Sequence, residues 1–346
     1  MTVDIGAILF QDGLANGSVY ILMAVALVLV FTVSRIVFVP QGDLVAFSTL
    51  TLAAFEGGTL PGTVWMLLGL SAIATTFDVL RAISTGDWSV LPRDLAEDLA
   101  VPVALALVAM FGTPEGSPIF WKMAVTVALT TCLAPLLFRV AFQPIAGASP
   151  LVLLIAAIAV HLGLTSLGLH VFGAEGVRTT GFSGPPFTLG NIVFTQQSIG
   201  VIAISFLLVL ALYLFFARTL RGKALLAAAY NRRGAEILGI SPVRAGRTAF
   251  ILAGFIGAVA GLLIGPMTTL SYDSGFLLGL KGFVGAIVGG LSIYPVAAAG
   301  AVLVGLIESF ASFWASAYRD VIVFTLIIPV LFWRSLQTPH VDEEDE

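Results

Sequence analysis

Long uncharged apolar runs recur along the chain and restrict its possible folds more than any other feature. Leu14–Val33, Leu151–Phe172 and Ser198–Ala217 contain no Asp, Glu, Lys or Arg, and each is long enough for an α-helix to cross a bilayer. Only 10% of the 346 residues are charged, which is too few to cover the surface of a water-soluble fold of this size. The sequence therefore predicts an all-α, polytopic transmembrane helical bundle. It excludes a soluble enzyme, a DNA-binding module and a disordered chain.

Breakers and charges divide residues 1–340, which we expect to form a single membrane domain, into about 9–11 membrane segments. Some of these are too short to cross fully, and the acidic residues 341–346 follow as a tail. The predicted segments are Leu14–Val33, Leu44–Phe55, Val64–Leu80, Leu99–Phe111, Met123–Val140, Leu151–Phe172, Ser198–Ala217, Thr248–Ile264, Phe276–Leu291, Val296–Phe313 and Val321–Phe332.

The distribution of positive charge orients these segments. Residues 1–34 contain no Lys or Arg, which indicates that no cleavable signal begins the chain. Residues 218–247 hold seven of the sixteen basic residues, and such a loop stays in the cytoplasm. Counting spans from this loop predicts an N-terminus outside, a C-terminus in the cytoplasm, and outer loops at 113–118 and 173–197.

Several other chemistries lack the residues that they need. Cys132 is the only cysteine, so neither an intrachain disulfide nor a cysteine-based metal site can form. The three histidines His161, His170 and His340 do not have the spacing of metal ligands on one helix face, and we expect no metal or other cofactor. Apart from its acidic tail the chain is close to neutral, so it has no basic face for nucleic acid.

The basic segment 218–247 is predicted to contain a short helix at about Gly234–Leu238, which Gly239 ends. Ile237, Leu238 and Ile240 give this helix an apolar edge between basic flanks. An apolar knob at the membrane surface suits docking into a groove of a soluble partner. The alternative is a basic loop that only fixes the topology of the chain.

Small residues repeat every four positions on two late segments: Gly257, Gly261 and Gly265 on one, and Gly285 and Gly289 on the next. This spacing lets helix backbones approach closely in lipid. It favours close packing within the subunit. A seam between subunits or a helix that slides is the alternative.

Short motifs recur in a recognisable order between residues 10 and 335. They are Gly13-Leu14-Ala15-Asn16-Gly17-Ser18-Val19-Tyr20, Gln41-Gly42-Asp43, residues 139–151, Ala235-Glu236-Ile237-Leu238-Gly239-Ile240 and the Gly-rich residues 280–291. Together these motifs resemble the permease subunits of bacterial branched-chain amino acid ABC importers. Their order is more similar to the LivH-type subunit than to its LivM-type partner.

This resemblance implies a permease subunit of the bacterial inner membrane, surrounded by lipid, that does no chemistry itself. Two separate ATP-binding subunits would dock on the coupling segment Ala235, Glu236, Ile237, Leu238, Gly239 and Ile240. A second, LivM-like permease would complete the membrane part, and a periplasmic solute-binding protein would deliver branched-chain or related amino acids. The residues agree, because Gly222-Lys223 lacks the remainder of a phosphate-binding loop.

Polar residues inside spans are costly, so they are candidates for lining a transport path. Four of them are Asn16, Ser18, Gln41 and Glu308, although Glu308 could instead be a buried partner of another polar group. Lys281 is expected near the outer edge. Two departures from the family pattern stand out: Phe38-Val39-Pro40 in place of the usual Asn-Phe-Ala, and an insertion near residues 78–120 with a charged loop and an extra hairpin of spans.

Other functions remain open at this stage. Within the same family, the substrate could be urea, a short amide or an aromatic acid. A stand-alone secondary transporter would show two related halves with broken helices, and the sequence shows no convincing repeat. An intramembrane enzyme would need a catalytic pair within the spans, and none is evident.

Overall fold

The chain folds into a bundle of α-helices in a computed structural model that describes residues 3–86, 88, 91–182, 187–189 and 192–337. Eight helices in this described part are long and apolar enough to cross a membrane. A shorter apolar helix, Ser274–Val288, accompanies them. The all-α bundle predicted from the sequence is confirmed, although some helices, such as Val3–Ser34 and Pro242–Ile264, begin earlier than the predicted Leu14 and Thr248.

The helices are α1 Val3–Ser34, α2 Gln41–Glu56, α3 Thr63–Thr85, α4 Leu91–Leu95, α5 Val101–Phe111, α6 Ile119–Leu137, α7 Pro150–Phe172, α8 Gln196–Arg218, α9 Leu220–Tyr230, α10 Arg232–Ile237, α11 Pro242–Ile264, α12 Ser274–Val288, α13 Tyr294–Trp314, α14 Arg319–Thr325 and α15 Ile327–Gln337. Wider π-helical turns at Ala96–Ala100 and Phe138–Phe142 continue α4 into α5 and extend α6. Short 3-10 turns occupy Gln143–Ile145 and Ser316–Tyr318.

The predicted outer loop 173–197 contains two short antiparallel strands that the sequence did not indicate. They are β1 Phe187–Leu189 and β2 Ile192–Phe194, with Thr188 opposite Val193. The Gly-Pro-Pro motif at 184–186 and His340 lie outside the described residues.

Helix α1 forms the centre of the bundle. Its residues from Val19 to Val30 are almost completely buried, whereas most of α8 faces outward. Small residues make this arrangement possible: Gly13 and Gly17 touch the backbone of α13 at Leu306 and Val302, because neither carries a Cβ that would hold the helices apart.

The glycines with four-residue spacing pack inside the subunit. On α11, Gly257 and Gly261 lie against α2, and Gly265 lies against Thr179 and Thr49. On α12, Gly285 and Gly289 lie against Ala301 and Ala297 of α13. These contacts agree with close packing within the subunit, which the spacing of the glycines favours.

Polar contacts define the two ends of the bundle. At one end Lys122 donates hydrogen bonds from Nζ to the carbonyls of Phe55 and Glu115, and Thr180 donates to Glu56. At the other end, hereafter the basic end, lie Arg139, Arg247 and the predicted coupling segment. The predicted outer loops 113–118 and 173–182 therefore share one end, opposite to the segment 218–247.

Candidate coupling surface and midplane junction

The basic segment 218–247 contains two short helices, α9 and α10, and the coupling segment begins in the second half of α10. Asn231 caps α10, because its side-chain oxygen accepts a hydrogen bond from the backbone N–H of Gly234 at 2.8 Å. At the other end Ile240 donates from its backbone N–H to Ala235 at 2.9 Å, and Gly239 adopts φ +80°. This is the helix stop that a left-handed glycine provides, so Gly239 ends the helix as predicted.

The short helix carries an exposed apolar tip. Ile237 is 86% exposed and Leu238 is 78% exposed, although both are large aliphatic side chains. Ala235, by contrast, is 2% exposed and packs with Leu225 of α9 and Ala245 of α11. The tip is therefore held on an anchored helix, which is the geometry of a knob that docks into a groove. We call Ile237 and Leu238 the coupling tip.

Ion pairs at the basic end join the predicted insertion to the neighbouring helices. Arg139 bonds to Asp78 and, at 3.1 Å, to Asp94. Arg247 of α11 pairs with Asp98 and, at 3.0 Å, with Glu97. Asp98 is fully buried, so these arginines supply the opposite charge that a buried carboxylate requires. The charged part of the insertion thus fixes the beginning of α11, next to the coupling segment.

Helix α2 begins in the middle of the bundle. Gln41 donates a hydrogen bond from Nε2 to the carbonyl of Ala253 at 3.0 Å, and Ala253 lies halfway along α11. Residues 35–40 are non-helical and carry the chain from the exposed Arg35 back to this depth. At 16 residues α2 is about 24 Å long, shorter than the roughly 30 Å of a hydrocarbon core.

Helix α12 begins at the same depth and runs in the opposite direction. Gly275 packs directly on the backbone of Asp43, and Gly42 packs on the backbone of Gly275 and Gly279. From this contact α2 extends away from the basic end, while α12 extends toward it. Two half-helices thus meet with their N-termini at mid-depth, which we call the midplane junction and define as Gln41–Asp43 and Ser274–Phe276.

A buried pair of ionisable side chains, Asp43 and His161, lies beside the midplane junction. Nδ1 of His161, at the middle of α7, is 2.8 Å from Oδ2 of Asp43. The imidazole also stacks on the ring of Phe276, with ring centroids 4.8 Å apart. Asp43 is 1% exposed and His161 is 7% exposed, so the pair is almost removed from solvent. Intramembrane ionisable residues mark functional sites in transporters, which makes this pair a candidate.

The sequence did not single out this pair as a site. The motif Gln41-Gly42-Asp43 contains Asp43 without marking it as a site, and His161 lacks the spacing of a metal ligand. The available signal is that His161 is the only ionisable side chain in the middle of the apolar run Leu151–Phe172, and that Asp43 directly precedes the run Leu44–Phe55.

The predicted pathway residues do not come together in one place. Gln41 belongs to the midplane junction, and the Oε1 atom of its buried side chain has no hydrogen-bond partner among the described residues. Asn16 is half-buried on α1, and Ser18 bonds back to the carbonyl of Leu14 at 2.7 Å within the same helix.

Glu308 lies in a different, buried network. Its carboxylate accepts hydrogen bonds of 2.6 Å from the hydroxyl of Tyr20 and from Nζ of Lys281. Lys281 also approaches Asp320 at 3.1 Å, and Arg319 lies 3.7 Å from Glu308. Glu308 is thus the buried partner of other polar groups. Lys281 is only 6% exposed within α12, so its ammonium group belongs to this buried network.

No group of three or more potential metal-binding side chains occurs in the described part of the chain. Cys132 on α6 is a half-buried free thiol, and His170 is exposed near the end of α7.

The fold and the site define a multi-pass membrane permease. A family described as "Branched-chain amino acid transport system / permease component" matches residues 9–331, so the chain belongs to this family. The chain is 30% identical to the high-affinity branched-chain amino acid transport system permease protein BraD of Pseudomonas aeruginosa over 262 residues, which cover 70% of this chain and 82% of BraD.

Two further relatives carry similar names. The permease protein LivH of Escherichia coli is 30% identical over 201 residues, which cover 56% of this chain and 65% of LivH. The probable branched-chain amino acid transport permease protein LivH of Methanocaldococcus jannaschii is 32% identical over 229 residues, which cover 62% of this chain and 69% of the relative. No solved structure matches the chain.

Proposed function

We propose that the chain is the LivH-like permease subunit of an ATP-driven importer for branched-chain or related amino acids in a bacterial inner membrane. Two ATP-binding subunits, a second permease and a periplasmic solute-binding protein complete the machine. The N-terminus is periplasmic and the C-terminus is cytoplasmic. Membership in the permease family supports this proposal, and so do the names of BraD and LivH. The observation that carries it is the exposed coupling tip on an anchored helix at the basic end.

In this function the ATP-binding subunits hydrolyse ATP, and their closure pushes on the coupling tip. Helix α11 begins only a few residues after α10, and Ser241 caps it by accepting a hydrogen bond from the N–H of Arg244. Motion of the tip is therefore passed to α11, which packs along α2 through Gly257 and Gly261. The bundle then alternates between inward-open and outward-open states.

The midplane junction is the part of the path that this subunit contributes. The N-terminus of a helix carries a partial positive charge, and two such ends meet here beside the Asp43 carboxylate. A zwitterionic amino acid offers a carboxylate to the helix ends and an ammonium group to Asp43. Broken helices that point their N-termini at a substrate carboxylate are an established arrangement in transporters.

Composition of the assembled complex tests the importer. When the chain is expressed with its genomic neighbours and solubilised gently, we expect it to co-purify with two ATPase chains and a second permease. ATP-dependent uptake of leucine by the reconstituted complex, competed by valine but not by urea or benzoate, supports the amino acid assignment. Uptake by the chain alone in liposomes, without ATP, contradicts the importer.

Substitution of the coupling tip tests the docking surface. Ile237→Glu with Leu238→Glu should abolish ATPase co-purification and uptake, because carboxylates cannot enter an apolar groove without losing hydration. The control Leu220→Glu alters an equally exposed aliphatic side chain, 86% exposed on α9, and should leave both intact. If the tip variant inserts normally and transports like wild type, the tip is not a docking surface.

A further inference from the structure

A groove of about 650 Å³ lies at the basic end, between the insertion and the helices α8, α9 and α11. Arg93 and Glu97 line it from the insertion, Arg221 from α9, and Arg244 and Arg247 from α11. Its volume is within the range of small-molecule sites. The coupling tip lies outside this groove, although Gly239 and Ile240, which follow the tip, line one wall.

The described lining of the groove carries an excess of positive charge. Among the described residues Glu97 is the only carboxylate in its lining, and Arg93 at 2.9 Å and Arg247 at 3.0 Å already pair with it. Arg247 also pairs with the buried Asp98. Arg221 and Arg244 have no carboxylate partner within 4 Å among the described residues. The groove therefore presents two exposed guanidinium groups, which suit bidentate contact with a phosphate.

The remainder of the groove is apolar and continues along the bundle surface. Phe215 in the last turn of α8, and Ile251 and Leu252 of α11, form its apolar side. From there Leu214 of α8, 45% exposed, and Phe255 of α11, 38% exposed, carry an apolar surface toward mid-depth. A ligand that fits both parts has an anionic head and a long apolar tail.

We propose that this groove binds an anionic phospholipid, with its phosphate between Arg221 and Arg244 and an acyl chain along α8 and α11. Arginines where helices enter the membrane surface attract the anionic lipids of the cytoplasmic leaflet. The phosphate joins α9 to α11 across the intervening α10, so it fixes the helix that carries the coupling tip. This consequence for transport rests on the proposed function, whereas the binding itself does not.

Native mass spectrometry of the full chain in detergent tests the site, with phosphatidylglycerol as the probe and phosphatidylethanolamine as the zwitterionic comparison. We expect Arg221→Gln with Arg244→Gln to weaken phosphatidylglycerol binding about thirtyfold, and each single substitution to weaken it about fivefold. The control Arg232→Gln with Arg233→Gln removes the same charge from exposed residues of α10 outside the groove, and its binding should stay within twofold of wild type.

Four results would overturn the proposal. Equal weakening by both double variants would mean that only net charge matters, and equal binding of the two lipids would mean that the head group is not recognised. Displacement of the lipid by millimolar inorganic phosphate would identify a free-anion site. Loss of ATPase co-purification from the groove variant, with unchanged lipid binding, would assign the groove to the ATPase. Failure of the importer assignment, by contrast, leaves the lipid affinities as expected.

Discussion

The closest backbone approach at the midplane junction gives the sharpest test of the structure. A Cβ atom added at Gly42 would overlap the carbonyl oxygen of Gly275 and lie 2.7 Å from the backbone nitrogen of Gly279. Both obstacles are backbone atoms, so no side chain can rotate away. We expect Gly42→Ala to force the two half-helices apart.

The size of this effect follows from how firmly α12 is held. Ordinary contact needs roughly 3.5–4.0 Å, so α12 must shift by about 1 Å or more. It cannot shift freely, because Gly282 already touches Met23 of α1 and Gly285 touches Ala301 of α13. Overpacking costs about 1–3 kcal/mol, and we expect the upper end of this range, about 3 kcal/mol of unfolding free energy.

Alanine at a helical glycine normally stabilises a helix by up to about 1 kcal/mol, so the sign of the change is informative. Gly163→Ala is the matched control, because Gly163 lies within α7 with no heavy atom within 4 Å of its added Cβ. Reversible unfolding in mixed detergent micelles should show Gly163→Ala equal to or above wild type and Gly42→Ala well below. If both variants are equally stable, the half-helices do not meet as described.

Two further substitutions, Asp43→Asn and Arg247→Gln, test the buried polar pairs, and Arg93→Gln is the control for the second. Asp43→Asn keeps the shape of the side chain but removes the carboxylate that contacts His161. It should lower the unfolding free energy by about 1–2 kcal/mol and reduce uptake per inserted molecule. Uptake equal to that of wild type would show that the pair is not part of the transport path. Arg247→Gln removes the nearer of the two arginines that pair with the buried Asp98, leaving Arg139 at 3.6 Å, and should cost about 1–3 kcal/mol. As the control, Arg93→Gln breaks an exposed pair and should cost less than about 1 kcal/mol in the same unfolding assay.

Much of the fold could be predicted because hydropathy in a membrane is a strong local signal. The predicted span Leu151–Phe172 differs from α7 by one residue, and the predicted helix stop at Gly239 has the left-handed backbone that only glycine adopts without strain. The short helix itself begins at Arg232, earlier than the predicted Gly234, because Asn231 is its N-cap.

The position of the candidate site could not be predicted from the sequence, for a physical reason. An apolar run such as Leu44–Phe55 has the same composition whether its helix begins at the membrane surface or at mid-depth. Its depth is fixed by contacts with distant residues, such as the hydrogen bond from Gln41 to Ala253. The pairing of Asp43 with His161 joins residues 118 positions apart, and no local pattern specifies it.

Similar reasoning explains why the sequence alone does not decide the role of Glu308. A lone carboxylate in an apolar span fits both a transport path and a structural pair, because each requires a polar partner that the sequence does not place nearby. The structure supplies Tyr20 and Lys281 from two other helices.

Helix α11, with its glycines Gly257 and Gly261, contacts both the midplane junction and the coupling helix α10. Gly257 lies against Gln41 at the midplane junction, and Gly261 lies against Ser48, about two turns further along α2. Close backbone contact along this line means that α11 and α2 must move together, because side chains between them are too few to absorb a displacement. The beginning of the same α11 packs against Ala235 of the coupling helix through Ala245. If the coupling tip is pushed as in the proposed importer, the displacement would reach the start of α2 through α11, whereas the contacts of Gly282 with Met23 and of Gly285 with Ala301 hold α12 on α1 and α13.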